Sequence, residues 1–192
     1  MAQTYDSIDE QLKQWVSEQR MFFVGTAPLS ATGHVNCSPK GGDTLRVLGP
    51  QELAYLEGGG SGIETVAHLR ENGRMVIMLC AFSGAPRIVR FHGKGSVVLP
   101  DDPEFPALLE RFPSAVTVRS VIRLAVERIA DSCGYGVPKM QFLEDRDDMK
   151  RYLGKASDKA MKDYFVRTNR ESIDGLPGLA AAELEHTLIR RD

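Results

Sequence analysis

Only one tryptophan and three cysteines occur in 192 residues, and neither sign of charge dominates: 24 Lys and Arg stand against 26 Asp and Glu. Cys37, Cys80 and Cys133 are an odd number at wide spacing, so they read as reduced thiols in a cytosol-like compartment and not as a disulfide framework. A formal charge of -2 argues against a polybasic binder of nucleic acid or membrane surfaces. No apolar run approaches the roughly 20 residues that a membrane helix needs, and no secretory pattern opens the sequence. His34, Cys37, His68, Cys80, His92 and Cys133 lack zinc-type spacing, His34-x-x-Cys37 standing alone, so no metal site is expected. What remains is a cytoplasmic chain with no nucleic-acid or membrane partner. Its 42% hydrophobic and 26% charged residues suit one packed domain.

Ser7 with Glu10 three positions later fits a capping box, and Ile8, Leu12, Trp15, Val16 and Gln19 then fall on one helical face. Strand-like segments bounded by turn residues follow: Met21 to Ala27, His34 to Ser38, Thr44 to Leu48 and Glu52 to Glu57. Met75 to Phe82 is an unbroken apolar run, expected as a central strand covered on both faces. Arg87 to His92 and Ser96 to Leu99 are expected as two strands flanking Gly93-Lys94-Gly95, and Val116 to Ala130 is a long β-branched stretch interrupted by charges. Helices are expected from Ile63 to Asn72, closed by Gly73, from Pro103 to Phe112, and beyond Asp147, where Met149, Tyr152, Leu153, Met161, Tyr164 and Phe165 are the apolar members. The loop Ser172-Ile-Asp-Gly-Leu-Pro-Gly leads to a last helical stretch ending in Arg190-Arg191. Short strands at this spacing predict an α+β domain built on a small antiparallel barrel with helical additions at both ends.

Gly58-Gly59-Gly60-Ser61-Gly62 runs into the Ile63 helix, where free backbone N–H groups and the positive end of the helix dipole suit a phosphate. It is neither a Walker loop nor a dinucleotide fingerprint. Ser61 and Glu64 could equally form a capping box, in which case Glu64 takes those donors unless it turns away. Ser38-Pro39-Lys40-Gly41-Gly42 could present a lysine to a phosphate or be a solvated loop. In Pro86-Arg87-Ile88-Val89-Arg90-Phe91-His92 the two arginines face opposite ways unless Arg87 lies in the turn, whereas Arg90 and His92 share a face. In Asp131-Ser132-Cys133-Gly134-Tyr135-Gly136-Val137-Pro138, Cys133 reads as an inert, partly buried thiol.

In order, Val35-Asn-Cys-Ser-Pro-Lys-Gly-Gly, Thr44-Leu-Arg-Val-Leu, Leu53-Ala-Tyr-Leu, Ser61-Gly-Ile-Glu-Thr-Val-Ala-His-Leu-Arg-Glu-Asn-Gly-Arg and Pro86-Arg-Ile-Val-Arg-Phe-His-Gly-Lys-Gly resemble the pyridoxamine 5′-phosphate oxidase-like family of FMN-binding split barrels. The resemblance implies an antiparallel split β-barrel over roughly residues 21–131, a C-terminal helical extension over roughly 146–192, and a homodimer with FMN at its interface. It implies phosphate contacts from Arg46, Ser61, Gly62 and Thr65, with Ser38 and Lys40 along the strand edge beside the flavin and Arg87 or Arg90 on the next strand. Oxidases of the family carry Ser-Arg-Lys at the helix start, where this chain has Gly62-Ile63-Glu64-Thr65, so Lys40, Arg46 or Arg87 must supply the missing charge. No counterpart of the C-terminal Trp and Arg that grip pyridoxamine phosphate is present, and the substrate is left open as a small molecule, with His92 and Tyr135 as pocket residues. The implied activity is FMN-dependent oxidation and reduction. Two other readings use the same barrel: a non-catalytic flavin or haem module with His92 or His186 as axial ligand, and a deazaflavin-dependent reductase.

Overall fold

A computed structural model describes residues 3–112 and 117–186, leaving undescribed the side chains at 149, 150, 153 and 154. The expected strand start at Val116, the Met149 and Leu153 side chains and the Arg190-Arg191 end therefore lie outside the described residues. In chain order the elements are β1 (Thr4–Tyr5), α1 (Glu10–Glu18), β2 (Met21–Thr26), β3 (Asn36–Gly41), β4 (Leu45–Gly49), β5 (Glu52–Glu57), α2 (Glu64–Glu71), β6 (Arg74–Cys80) and β7 (Ile88–Val98). Then come α3 (Phe105–Leu109), β8 (Ser120–Ser132), α4 (Asp148–Lys155), α5 (Asp158–Thr168) and α6 (Ala181–His186).

All strand pairings are antiparallel, and the sheet runs β3-β2-β6-β7-β8-β5-β4, with β1 added on β8. Alternation along the strands sends Phe22, Val24, Ile77, Leu79, Val89, Phe91, Leu53, Tyr55, Ile122 and Leu124 to one concave face, where they form one buried cluster with Leu12 and Val16 of α1. The sheet curls until its end strand β3 comes up to β5, the neighbour of the other end strand β4, and at that seam the Lys40 ammonium of β3 meets the Glu57 carboxylate of β5 at 2.7 Å. Side chains close the gap where backbone pairing stops, which is a split barrel.

Four local expectations change. Asp9, not Ser7, caps α1, its carboxylate accepting from Leu12 N at 2.7 Å, because the helix starts two residues later than the Ser7 box requires. Ile63 stands at the N-cap of α2 with no side-chain cap, so the Ser61/Glu64 box does not form. The outer face of β6 is half-exposed at Val76 and Met78, not covered on both sides, because the helices pack elsewhere. The stretch Ile88–Val98 is one continuous strand through Gly93-Lys94-Gly95.

Those glycines serve close approach and not a turn. A bulge falls between His92 and Gly93, where the register on β8 skips Glu127, and a Cβ on Gly93 would lie 1.9 Å from Ala125 O. At Gly95 a Cβ would crowd Leu69 Cδ2 at 2.6 Å and Met75 Sδ at 2.8 Å, so its absence lets α2 settle on the sheet. The expected helix stop is present: Gly73 has φ +71 and donates to His68 O.

Candidate functional site

At the seam, the glycine-rich turn after β5 and the start of α2 face the end strand β3 across a cavity of about 290 Å³. Ser38, Lys40, Ser61, Gly62 and Thr65, expected as ligand contacts, all line it, together with Asn36, Glu57 and Arg119. Lys40 reaches it because Ser38 and Lys40 pair with Val24 and Phe22, whose side chains point into the barrel. Arg46 does not reach it. Leu45 and Val47 point inward, so the intervening Arg46 points outward, where its guanidinium holds Asp43 and Arg111 O and lies 5.5 Å from the Phe112 ring centroid.

Arg87 is also elsewhere, its guanidinium stacked over Trp15 and Tyr5, donating to Tyr5 Oη at 2.8 Å and paired with Asp131 at 3.5 Å. Arg90 and His92 share the outer face of β7, where Arg90 donates to Ser132 Oγ at 3.1 Å. Burial, then Arg128 and Arg90, push the His92 pKa down and favour neutral imidazole. Tyr135 is exposed beside a separate small cavity with Phe82, Pro86 and Lys139. His186 is exposed and lies 3.5 Å from Asp101. Cys133 is exposed, not partly buried, because Gly134 turns against Arg87 and leaves its neighbour outside. Among the described residues no group of three His, Cys, Asp or Glu is placed to hold a metal.

The charge at the cavity centres on residues that sequence reading passed over. Glu57 is buried and accepts from Lys40 Nζ at 2.7 Å and Tyr55 Oη at 3.2 Å, with Arg119 Nη2 3.2 Å away. Burial pushes the Glu57 pKa up, but Arg119 and Lys40 outweigh it and hold the carboxyl below its ordinary value. Burial first, and the Glu57 charge next, raise Tyr55 well above its ordinary value, so it stays a neutral donor. Arg119 is 3% exposed. Its Nη1 donates to Gly62 O at 2.9 Å and Asn169 Oδ1 at 2.7 Å, while its Nε has no hydrogen-bond partner among the described residues. Asn36 Nδ2 donates to Thr65 Oγ1 at 3.2 Å, and Thr26 Oγ1 lies 3.0 Å from His68 Nδ1, continuing polar contacts beneath α2.

Glu64 also lines the cavity: its Oε2 lies 2.5 Å from where a Cβ of Gly62 would stand, while its Oε1 accepts from Ile173 N at 3.3 Å, on the Ser172–Gly178 loop. No side chain, Glu64 included, caps the start of α2. A second cavity, about 670 Å³ and rich in Met21, Phe82, Met140 and Phe142, shares Pro39 and Lys40 with the first.

The depressed Glu57 value carries a stability consequence. A carboxyl whose folded pKa lies below its unfolded value near 4.5 stabilises the fold above that pH and loses the contribution as pH falls through the folded value. Replacing Glu57 with Gln is expected to cost about 3 kcal/mol at neutral pH, and the gap to wild type should narrow on acidification. Urea denaturation of both proteins at pH 7 and near pH 3 checks this. A gap that stays constant would mean that Glu57 is not the ionised member of the network.

The family model described as pyridoxamine 5′-phosphate oxidase matches residues 8–133. Pyridoxamine 5′-phosphate oxidase family protein ustO of Aspergillus flavus is 37% identical over 195 residues, an alignment covering 93% of this chain and 78% of that protein. Two crystal structures of HupZ from Group A Streptococcus share the fold. One has a TM-score of 0.52 at 22% identity, covering 65% of this chain and 99% of HupZ; the other has 0.50 at 21%, covering 64% and 91%.

Proposed function

The chain belongs to the pyridoxamine 5′-phosphate oxidase family, and we propose that it is an FMN-dependent oxidoreductase whose cofactor phosphate sits in the seam cavity. The observation that carries this reading is Arg119: a guanidinium buried to 3% exposure, lining an open cavity, with Nε unpartnered. A buried donor without an acceptor costs about 1–3 kcal/mol, and a buried guanidinium beside the cavity sets a positive charge where an anion can pair with it. Lys40 adds the second positive charge, Thr65 a hydroxyl, and the turn before α2 its backbone N–H groups. With Glu57 paired to both cations and Glu64 bonded to Ile173 N, these residues fit a phosphate, the charge expected at the helix start being supplied by Arg119, the residue just before β8.

Once bound, the flavin would supply the hydride or electron transfer. The chain's own part is to bind and orient: Glu57 holds Lys40 and Arg119 at the seam, Tyr55 braces Glu57, and β3 leads from the phosphate end to the larger apolar cavity. That second cavity gives a small-molecule substrate a place next to Lys40. A homodimer belongs to the same reading. Phe23, Val76 and Met78, with Pro39 and Cys37 of the neighbouring strand, line a half-exposed outer sheet face that a second copy would cover. No helix among the described residues is long and apolar enough to cross a membrane.

Titration of the purified protein with FMN, followed by flavin fluorescence, is expected to saturate at one FMN per chain. Anaerobic addition of NADPH or NADH should then bleach the bound flavin. Failure to bind FMN would end the reading, and a bound flavin that no reductant bleaches would reduce the chain to a carrier.

A further inference from the structure

The segment beyond residue 133 lies outside the matched family region, yet it packs behind the residues that line the cradle. Phe165 of α5 packs where a Cβ of Gly59 would be, 2.1 Å from its Cζ, and Gly178 backs onto Ile63 at the N-cap of α2. Between these contacts stands Asn169, fully buried at the C-cap of α5. Its Oδ1 accepts from Arg119 Nη1 at 2.7 Å, and its Nδ2 donates to Gly60 O at 3.1 Å. One amide thus joins the buried guanidinium of the cavity to the glycine turn opposite, with both ends of its side chain engaged. An amide suits this place, because it accepts on one side and donates on the other without adding charge beside Arg119.

We propose that Asn169 is a positioning residue for the anion cradle, through which the C-terminal extension sets affinity for the phosphate of the ligand; this rests on the flavin reading above. The Oδ1 contact fixes the rotation of the Arg119 guanidinium, and the Nδ2 contact holds the Gly60 carbonyl back so that the turn presents its N–H side. Glu183 of α6, paired with Arg70 of α2, ties the same extension to the barrel without touching the cavity.

Asn169→Ala, Asn169→Asp and Glu183→Gln, with wild type, test this by FMN and riboflavin titration together with thermal midpoints. Asn169→Ala is expected to weaken FMN about 10- to 100-fold, the range for a lost hydrogen bond to a charged group, while riboflavin changes less than about twofold. Asn169→Asp keeps the acceptor for Arg119 but turns an oxygen toward Gly60 O in place of the donor, so it should weaken FMN at least as much, while its ion pair with Arg119 keeps its thermal midpoint above that of Asn169→Ala. Glu183→Gln should leave both affinities unchanged. Unaltered FMN affinity in Asn169→Ala, or FMN affinity that simply tracks the thermal midpoint across the variants, would overturn the proposal. Wild-type protein that binds no FMN would overturn the flavin reading itself, and the proposal with it.

Discussion

Arg119→Met is expected to abolish measurable FMN binding, at least a 100-fold loss, and to destabilise the fold by about 3–5 kcal/mol. Both effects come from one buried guanidinium. Removing it takes the more deeply buried of two cations from the cavity, strips Gly62 O and Asn169 Oδ1 of their donor, and leaves Glu57 with Lys40 as its remaining cationic partner. Breaking a buried pair from one side is costly because the surviving charge stays desolvated, so the stability loss should shrink when that charge is removed as well. The double variant Arg119→Met/Glu57→Gln should therefore regain part of the lost stability in a urea titration, yet still fail to bind FMN. Were the single variant to bind FMN as wild type does, the seam cavity would not be the phosphate site.

The backbone of the fold was largely legible in the sequence. The strand Glu52–Glu57 lies where its bounding turn residues predict, and Gly73 ends α2 where a left-handed residue is needed. Local pattern fails where distant segments decide. Gly93-Lys94-Gly95 has turn composition, but its glycines are demanded by the β8 backbone and by Leu69, contacts that no window along the sequence contains. The site divides in the same way. Lys40, Ser61, Gly62 and Thr65 stand in short motifs whose chemistry is visible locally. Arg46 was placed with them by likeness alone, and the parity of β4 sends it to the other face.

Arg119 and Asn169 carried no local signal. A single arginine within an apolar stretch reads as an interruption, and only the antiparallel register that sets Ser120 opposite Glu57 brings it to the cavity. Asn169 lies 109 residues from Gly60 and reads as an ordinary helix end. One clue was available for Arg119: the Gly62-Ile63-Glu64-Thr65 helix start lacks the cations that a phosphate needs, so another strand had to provide one. A search for arginines in a stretch otherwise too apolar to carry them would have narrowed the choice to Arg119, Arg123 and Arg128.

Gly93→Ala is expected to be the most damaging single-methyl change in the barrel, costing about 3 kcal/mol or more or preventing folding altogether. The added Cβ would lie 1.9 Å from Ala125 O and 2.9 Å from Ala125 C, both backbone atoms of β8, so no rotamer change can relieve the overlap. Relief requires the β7 and β8 strands to part at the bulge, and these two strands join the β2–β6 side of the sheet to β5 and β4. Gly60→Ala is the matched control. It also adds one methyl to a glycine, but nothing lies within 4 Å of the new Cβ, so its stability should stay within about 1 kcal/mol of wild type. Its methyl would instead occupy space at the cavity, which Gly60 lines, and weaken FMN. Chemical denaturation and flavin titration of the two variants should thus separate scaffold from cradle. A Gly93→Ala protein as stable as wild type would mean that the bulge pairing of β7 on β8 is not what fixes the sheet.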